Sequence, residues 1–145
     1  LIEERSAQTV NEIFTRQGEA AFRKLETEVI RQLAAKPWPS VIALGGGALM
    51  AAQSFNTIKK SGLLIYIKSS PEKIYERIKN SSKRPLLKQA ARKEMLIRIR
   101  NLLNERAPVY EQADIIFERD GLNLDEIVKN LYNQINRFWQ KQNGE

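Results

Sequence analysis

Several short groups of residues in this sequence have the types and spacing needed to bind an anionic small molecule. Gly45, Gly46 and Gly47 directly follow the apolar run Val41 to Leu44. Backbone N–H groups unshielded by Cβ atoms, at the carboxyl end of a buried strand, could hold a carboxylate or a hydroxyl close to the chain. A tight turn that needs positive φ explains the same glycines equally well. No Gly-Lys-Ser/Thr follows them, so this is not a Walker A loop.

Arg23 and Glu26 are three residues apart on a predicted helix, which permits an ion pair that would fix the guanidinium group. An ordinary surface pair is the alternative, with a stabilisation of about 0.3 to 0.5 kcal/mol. However, Arg23 adjoins Phe22 on the apolar stripe of the helix. We therefore expect Arg23 to lie near the edge of the core, where it could face a pocket.

Two further arginines lie beside prolines. Arg84 precedes Pro85 in a polar and basic stretch predicted to be an exposed loop, and Arg106 lies two residues before Pro108. Pro108 is expected to interrupt or restart a helix, because proline lacks an N–H donor and its ring clashes with the preceding turn. An arginine at such a break could project into a cleft. Taken singly, each of these features is more often structural than functional.

Composition limits the chemistry. The 145 residues include no cysteine and no histidine, which excludes disulfides, thiol nucleophiles, catalytic imidazoles and the usual zinc sites. The formal net charge of +7 is concentrated between Arg77 and Arg106, because this segment contains many basic residues and only two acidic ones, Glu94 and Glu105. Such a segment attracts phosphates or simply forms a solvated helix face. It contains almost no aromatic residues, which argues against single-stranded nucleic acid as the partner.

Hydrophobic periodicity and capping residues predict the elements that position these groups. A Thr9–Glu12 capping box starts a helix that stops at Gly18, and a second helix runs to about Lys36. Buried strands are predicted at Val41 to Leu44, Leu63 to Ile67 and Asp114 to Glu118. Further helices are predicted over about 51–60 and over 70–80, the second with Ser70 as its cap and Pro71 in its first turn. Another helix begins at Arg92 and is expected to break at Pro108. The last begins at Asn123, and its buried face is predicted to consist of Ile127, Leu131, Ile135 and Phe138.

Strands separated by helices of this length must be joined as parallel crossovers, so the chain is predicted to adopt an α/β layered fold with a parallel sheet. Three strands would make an unusually narrow sheet. The sequence also begins with Leu1 rather than methionine. Both observations lead us to expect one or two further strands upstream.

Taken in order, the motifs resemble those of shikimate kinase over essentially the whole chain. They are Glu12-Ile13-Phe14, Gly18-Glu19 with Phe22-Arg23 and Glu26, Ala43-Leu44-Gly45-Gly46-Gly47-Ala48, Arg84-Pro85-Leu86-Leu87, Glu105-Arg106-Ala107-Pro108-Val109-Tyr110 and Ala113-Asp114. The combination, at about the spacing of that family, is far more specific than any single motif.

The resemblance implies a three-layer P-loop fold related to the nucleoside monophosphate kinases, and transfer of a phosphoryl group from ATP to the 3-hydroxyl of shikimate. It implies that Arg23 and Arg106 bind the shikimate carboxylate, that Glu26 orients Arg23, and that the backbone of Gly45, Gly46 and Gly47 holds the hydroxyls. By the same resemblance, Arg84 is the lid arginine that closes on the transferring phosphate. Arg77 matches the arginine that contacts adenine.

In that family the ATP-binding loop and the catalytic aspartate precede a segment like Leu1 to Arg5, so the resemblance places the main ligands of ATP and Mg²⁺ upstream. We expect one kinase-like domain over 1–145, with substrate-binding helices over 1–36 and a lid over 80–91. We expect the chain by itself to have no kinase activity. We also expect a cytoplasmic monomer without membrane or nucleic-acid partners. The alternatives are a gluconate kinase or another small-molecule kinase, and a non-catalytic binding module derived from a kinase.

Overall fold

The computed structural model describes residues 1–79 and 92–144. The predicted lid over 80–91, with Arg84, therefore lies outside the described residues. The chain forms two compact units, Leu1–Leu64 and Ile65–Glu145. No helix in the two described ranges combines the length and the apolar character needed to cross a membrane.

The first unit is helical. Helix α1 spans Ile2–Ser6, α2 spans Val10–Ala34, a 3₁₀ turn spans Ala48–Met50 and α3 spans Ala52–Ser61. The predicted capping box is confirmed, because the Thr9 side chain accepts from the Glu12 N–H while the Glu12 carboxylate accepts from the Thr9 N–H. These bonds satisfy donors that the first turn of a helix otherwise leaves free.

Gly18 divides α2, as predicted. Its φ of 81° and ψ of 172° lie outside the helical region and in a region that essentially only glycine occupies. The backbone therefore bends at this residue and α2 continues in a new direction. The prediction that the first helical stretch stops at Gly18 is confirmed.

The carboxyl-terminal part of α2 forms the core of the first unit. Phe22, Val29 and Ile30 are buried along it, and the rings of Phe14 and Phe22 are 4.7 Å apart across the bend. Helix α3 packs on the same helix. The predicted apolar stripe is confirmed in part, because Phe22 and Val29 are buried while its other two members, Leu25 and Leu33, are half-buried. Arg23, next to Phe22, lies at the edge of this core.

The predicted strand Val41 to Leu44 is wrong for this structure. These residues form no regular secondary structure, and the side chains of Val41 and Ile42 are exposed. A strand requires a hydrogen-bonded neighbour, and the sheet of the described residues has only two strands, both in the second unit. Without such a neighbour, an apolar and β-branched run does not form a strand.

The second unit contains strands β1, Ile65–Lys68, and β2, Ile115–Glu118, with helices α4, Pro71–Ile78, α5, Arg92–Tyr110, and α6, Leu124–Asn143. The strands pair in parallel from Ile65 with Ile115 to Lys68 with Glu118. This confirms the α/β fold with a parallel sheet, with two strands among the described residues instead of three. Ser70 and Asn123 cap α4 and α6 as predicted.

Two expectations about the second unit need correction. Helix α5 continues through Pro108 to Tyr110 without a break. Pro108 removes one backbone N–H donor, but it lies in the last turn and only two residues of the helix follow it. Its carbonyl accepts from the Gln112 side-chain amide at 2.8 Å. The predicted buried face of α6 is only half-buried at all its members: Ile127, Leu131, Ile135 and Phe138.

Candidate functional site

The loop formed by Gly45, Gly46 and Gly47 leads directly into the 3₁₀ turn at Ala48–Met50. Gly45 accepts from the Ala48 N–H at 2.9 Å, and Gly47 accepts from the Met50 N–H at 3.0 Å. Gly47 has a φ of −107°, and Gly45 is not among the positive-φ residues either. A left-handed backbone conformation therefore does not explain these two glycines, and the tight-turn interpretation is wrong for them.

Close approach of side chains explains them instead. A Cβ atom on Gly47 would lie 2.7 Å from Cζ of Arg23 and nearer still to Nη2, and one on Gly45 would lie 2.9 Å from Oε1 of Glu26. Real Cβ atoms essentially never come so close to other heavy atoms. The structure thus brings together Arg23, Glu26, Gly45 and Gly47, and we call these four residues the arginine site.

The Arg23 guanidinium is held by two carboxylates of its own helix. Its Nη1 donates to Oε2 of Glu26 at 2.7 Å, while Nε and Nη2 both donate to Oε1 of Glu19, at 3.2 and 3.0 Å. The group also lies over the ring of Phe22, 5.3 Å from its centroid. Among the described residues, Glu26 is the only charged residue that is buried. Its carboxylate therefore depends on Arg23 as its partner.

The protonation of Arg23 is secure. Burial disfavours its charged form, but the hydrogen bonds to Glu26 and Glu19 outweigh that effect and raise its pKa above the usual value. The arginine site thus offers a permanent positive charge beside a loop whose backbone can be approached closely. Such an arrangement suits a carboxylate, because a guanidinium presents paired N–H donors that match carboxylate geometry.

Arg106 belongs to α5 in the second unit and is half-buried. Among the described residues, its guanidinium has no hydrogen bond or ion pair to a carboxylate. A half-buried cation without such a partner remains available to an anionic ligand. Its predicted role in binding a carboxylate stays a prediction.

Arg77 lies in the last turn of α4. Its Nη2 donates to Oγ of Ser69 at 2.8 Å and its Nε donates to the carbonyl of Lys73 at 3.4 Å. Burial, followed by the nearby charge of Arg119, lowers the pKa of Arg77 below its usual value. The predicted contact of Arg77 with adenine is a prediction that these contacts do not test.

A polar cluster beyond the ends of β1 and β2 holds Arg77 in place. Asp120 accepts from Oγ of Ser69 at 2.5 Å and from the N–H of Ser70 at 2.7 Å. These hydrogen bonds lower the pKa of Asp120 to about 2. The cluster joins the start of α4 to the turn after β2, and Ser69 links the carboxylate of Asp120 to the guanidinium of Arg77.

The sequence did not predict the contact of Glu19 with Arg23, or the polar cluster of Asp120, Ser69, Ser70 and Arg77, which we call the Asp120 cluster. Glu19 had a signal, since it lies four residues before Arg23 on the same helix and can therefore reach it. Asp120 carried no such signal, because Ser69 is 51 residues away along the chain. Only the parallel pairing of β1 and β2 brings these two residues together.

The described residues contain no cluster of acidic side chains that could enclose a metal ion with protein ligands alone. Within 1–79 and 92–144 there is no group of three or more acidic side chains able to hold a metal ion. The printed sequence also contains no Gly-Lys-Ser/Thr after a glycine-rich loop. No chemical step through a metal ion is therefore assigned to these residues.

Comparison with known proteins extends these observations to the whole chain. A family model described as shikimate kinase matches residues 1–136. The chain is 37% identical over 141 residues to the shikimate kinase of Chlorobaculum tepidum, covering 94% of this chain and 73% of that protein. It is 36% identical over 140 residues to that of Thermus thermophilus, covering 96% of this chain and 72% of that protein.

Solved structures agree. The shikimate kinase of Bacteroides thetaiotaomicron has a TM-score of 0.84 at 31% identity, over 93% of this chain and 79% of that one. The shikimate kinase of Acinetobacter baumannii in complex with shikimate has a TM-score of 0.80 at 29% identity, over 94% and 75% of the two chains. The family match, the identities and the shared fold lead to one conclusion: the chain belongs to the shikimate kinase family.

Proposed function

We propose that the arginine site binds the carboxylate of shikimate and that this chain serves the phosphorylation of the shikimate 3-hydroxyl by ATP. Shikimate kinases form a family of ATP-dependent phosphotransferases, and the chain belongs to that family. The observation that carries the proposal is the packing of Arg23 and Glu26 against Gly45 and Gly47. That packing leaves a cation beside a loop of low steric bulk.

Each residue of the arginine site has a distinct part in this proposal. Arg23 supplies the paired N–H donors for the substrate carboxylate. Glu26 holds the guanidinium in one orientation through the bond to Nη1. The backbone of Gly45, Gly46 and Gly47 faces the substrate hydroxyls, because glycine has no Cβ atom to keep a ligand away from the chain. A relative of similar fold, the Acinetobacter baumannii enzyme, is known in complex with shikimate.

The remaining arginines complete the proposal. Arg106 is the second cation for the substrate carboxylate, and its lack of a carboxylate partner among the described residues supports this role. Arg77, held by Ser69, contacts the nucleotide base. Arg84 closes on the transferring phosphate, where a cation would stabilise the developing charge. None of these roles needs a covalent intermediate.

ATP supplies the phosphoryl group, and Mg²⁺ would neutralise its phosphates when bound. No described residue is assigned to hold Mg²⁺. The proposed setting is a cytoplasmic monomer with shikimate as its small-molecule partner. The scarcity of aromatic residues in the basic segment between Arg77 and Arg106 supports phosphate groups of a nucleotide, rather than nucleic acid, as its target.

Calorimetric titration of shikimate into the chain tests the proposal. Arg23→Lys keeps the charge but loses the guanidinium fork, so we expect affinity for shikimate to fall on the order of tenfold or more. Arg31→Lys is the matched control, because Arg31 lies on the same helix in an exposed pair with Glu28. It should change the affinity by less than about twofold. Equal affinity of Arg23→Lys and the unsubstituted chain would refute the carboxylate assignment.

A further inference from the structure

Together with its two carboxylate partners, Glu26 within the arginine site and Glu19 outside it, Arg23 forms a group that carries a net negative charge before any ligand arrives. Arg23 is bonded to both Glu26 and Glu19. An anionic ligand must therefore approach a guanidinium that two carboxylates already neutralise. Unless one of them withdraws, the ligand meets net repulsion as well as occupied N–H donors.

The two carboxylates differ in how firmly they are held. The side chain of Glu26 is 9% exposed, and that of Glu19 is 66% exposed. Glu26 also lies against Gly45, so its oxygens have little room to move. Glu19 is solvated, and exposed ion pairs of this kind stabilise a protein only weakly. Glu19 can leave Arg23 for water, and Glu26 cannot.

The two carboxylates also occupy different edges of the guanidinium. Glu26 takes Nη1, whereas one oxygen of Glu19 takes both Nε and Nη2. Nε and Nη2 are the paired donors of one edge, which a planar carboxylate can engage with both of its oxygens. Glu19 thus occupies a carboxylate-binding edge of Arg23 with a carboxylate of the protein itself.

We propose that Glu19 is an internal competitor for the substrate carboxylate, and that it must leave the Nε and Nη2 edge of Arg23 before a carboxylate ligand can bind there. This inference rests on the proposed function of the arginine site. It assigns Glu19 a role opposite to that of Glu26: Glu26 positions the guanidinium, and Glu19 weakens its affinity for carboxylates. Glu19 thereby lowers the affinity of this edge by the same factor for every carboxylate that binds there.

The test is titration of shikimate into the full chain and into Glu19→Gln and Glu19→Ala at low salt. Gln removes the charge at constant shape, and Ala removes the occupant altogether. Each should bind shikimate about two- to fivefold more tightly, as expected for release of one exposed ion pair. The methyl ester of shikimate has no negative charge, so neither substitution should tighten its binding.

Glu28→Gln is the matched control, since Glu28 lies on the same helix and pairs with a different arginine, Arg31. It removes one negative charge without touching the arginine site and should leave the shikimate Kd within about twofold. Unchanged or weaker binding by the Glu19 variants overturns the inference, as does equal tightening by Glu28→Gln. Failure of the proposed function is separate, because it appears as unchanged binding in Arg23→Lys.

Discussion

The constraint on Gly45 and Gly47 comes from the side chains opposite their α-carbons. Arg23 and Glu26 approach so closely that a methyl group on either glycine would overlap them. Gly62 offers a contrast within the same unit, because a Cβ atom there meets nothing within 4 Å and its φ of 179° suits any residue. An alanine at Gly47 would therefore meet the Arg23 side chain, whereas an alanine at Gly62 would meet no atom. Neither substitution would strain the backbone.

We expect Gly47→Ala to displace the guanidinium of Arg23 and to weaken shikimate binding on the order of tenfold. The free energy of unfolding should change little, because the displaced atoms are the far end of a flexible side chain. Gly62→Ala should leave both quantities nearly unchanged. Calorimetry and denaturant titration of the two variants provide the measurement. If Gly47→Ala binds shikimate as tightly as Gly62→Ala, the close approach of Arg23 is not required for binding.

At the level of elements, hydrogen bonds join segments that are distant in sequence. Asp120, in the turn after β2, accepts hydrogen bonds from Ser69 and Ser70 at the start of α4. A second link connects α4 and α5, where Nη2 of Arg100 lies 2.6 Å from Oε1 of Glu72. Part of the basic segment between Arg77 and Arg106 therefore has a structural function, and its charge is not wholly available to phosphates.

The Asp120 cluster predicts how stability depends on pH. The pKa of Asp120 falls from 3.8 to about 2 because Ser69 and Ser70 donate to its charged form. A carboxyl whose folded-state pKa is depressed contributes stability above its unfolded-state pKa and loses it as the pH falls through the folded value. We expect this contribution to be complete above about pH 5 and to fall progressively until it is gone near pH 1.

Urea unfolding of the chain and of Asp120→Asn between pH 2 and 6 measures this contribution. The chain should be more stable than Asp120→Asn at pH 6, and the difference should shrink steadily below about pH 5, with most of it lost at pH 2. Ser69→Ala, which removes one donor, should show a smaller pH dependence than the unsubstituted chain. A difference that is constant from pH 6 to pH 2 would contradict the link between Asp120 ionisation and stability.

At the scale of the whole molecule, substrate binding and phosphoryl transfer depend on different sequence motifs of the family. The arginine site lies within the first unit, among residues 1–64. Transfer from ATP additionally needs a phosphate-binding loop with its lysine, and the 145 residues contain no such motif. The two properties are therefore separable by experiment.

We expect the 145-residue chain to bind shikimate but to release no ADP in its presence. A fusion that adds an upstream strand and a Gly-x-x-Gly-x-Gly-Lys-Ser/Thr loop should gain shikimate-dependent ADP release. A coupled ADP assay on both proteins is the measurement, with Arg23→Lys in the fusion as the control for host enzyme. Shikimate-dependent ADP release by the 145-residue chain, lost in its own Arg23→Lys variant, would show that the motif is dispensable.

Features that depend on neighbours along the chain were predictable from the sequence. The caps at Thr9, Ser70 and Asn123 need partners only three residues away, and the bend at Gly18 needs only the conformational freedom of glycine. The ordered motifs around Arg23, Gly45 to Gly47 and Arg106 were sufficient to indicate the family, and the comparisons confirm it.

Features that depend on distant partners required the tertiary structure. Val41 to Leu44 has the composition of a strand, but a strand exists only when another strand supplies its hydrogen bonds. Gly45 and Gly47 were recognisable as unusual, yet whether φ or close approach demanded glycine depended on where Arg23 and Glu26 lie. Asp120 and Ser69 meet only because β1 and β2 pair in parallel, since hydrogen bonds act over about 3 Å and pairing alone brings residues so far apart in sequence within that distance.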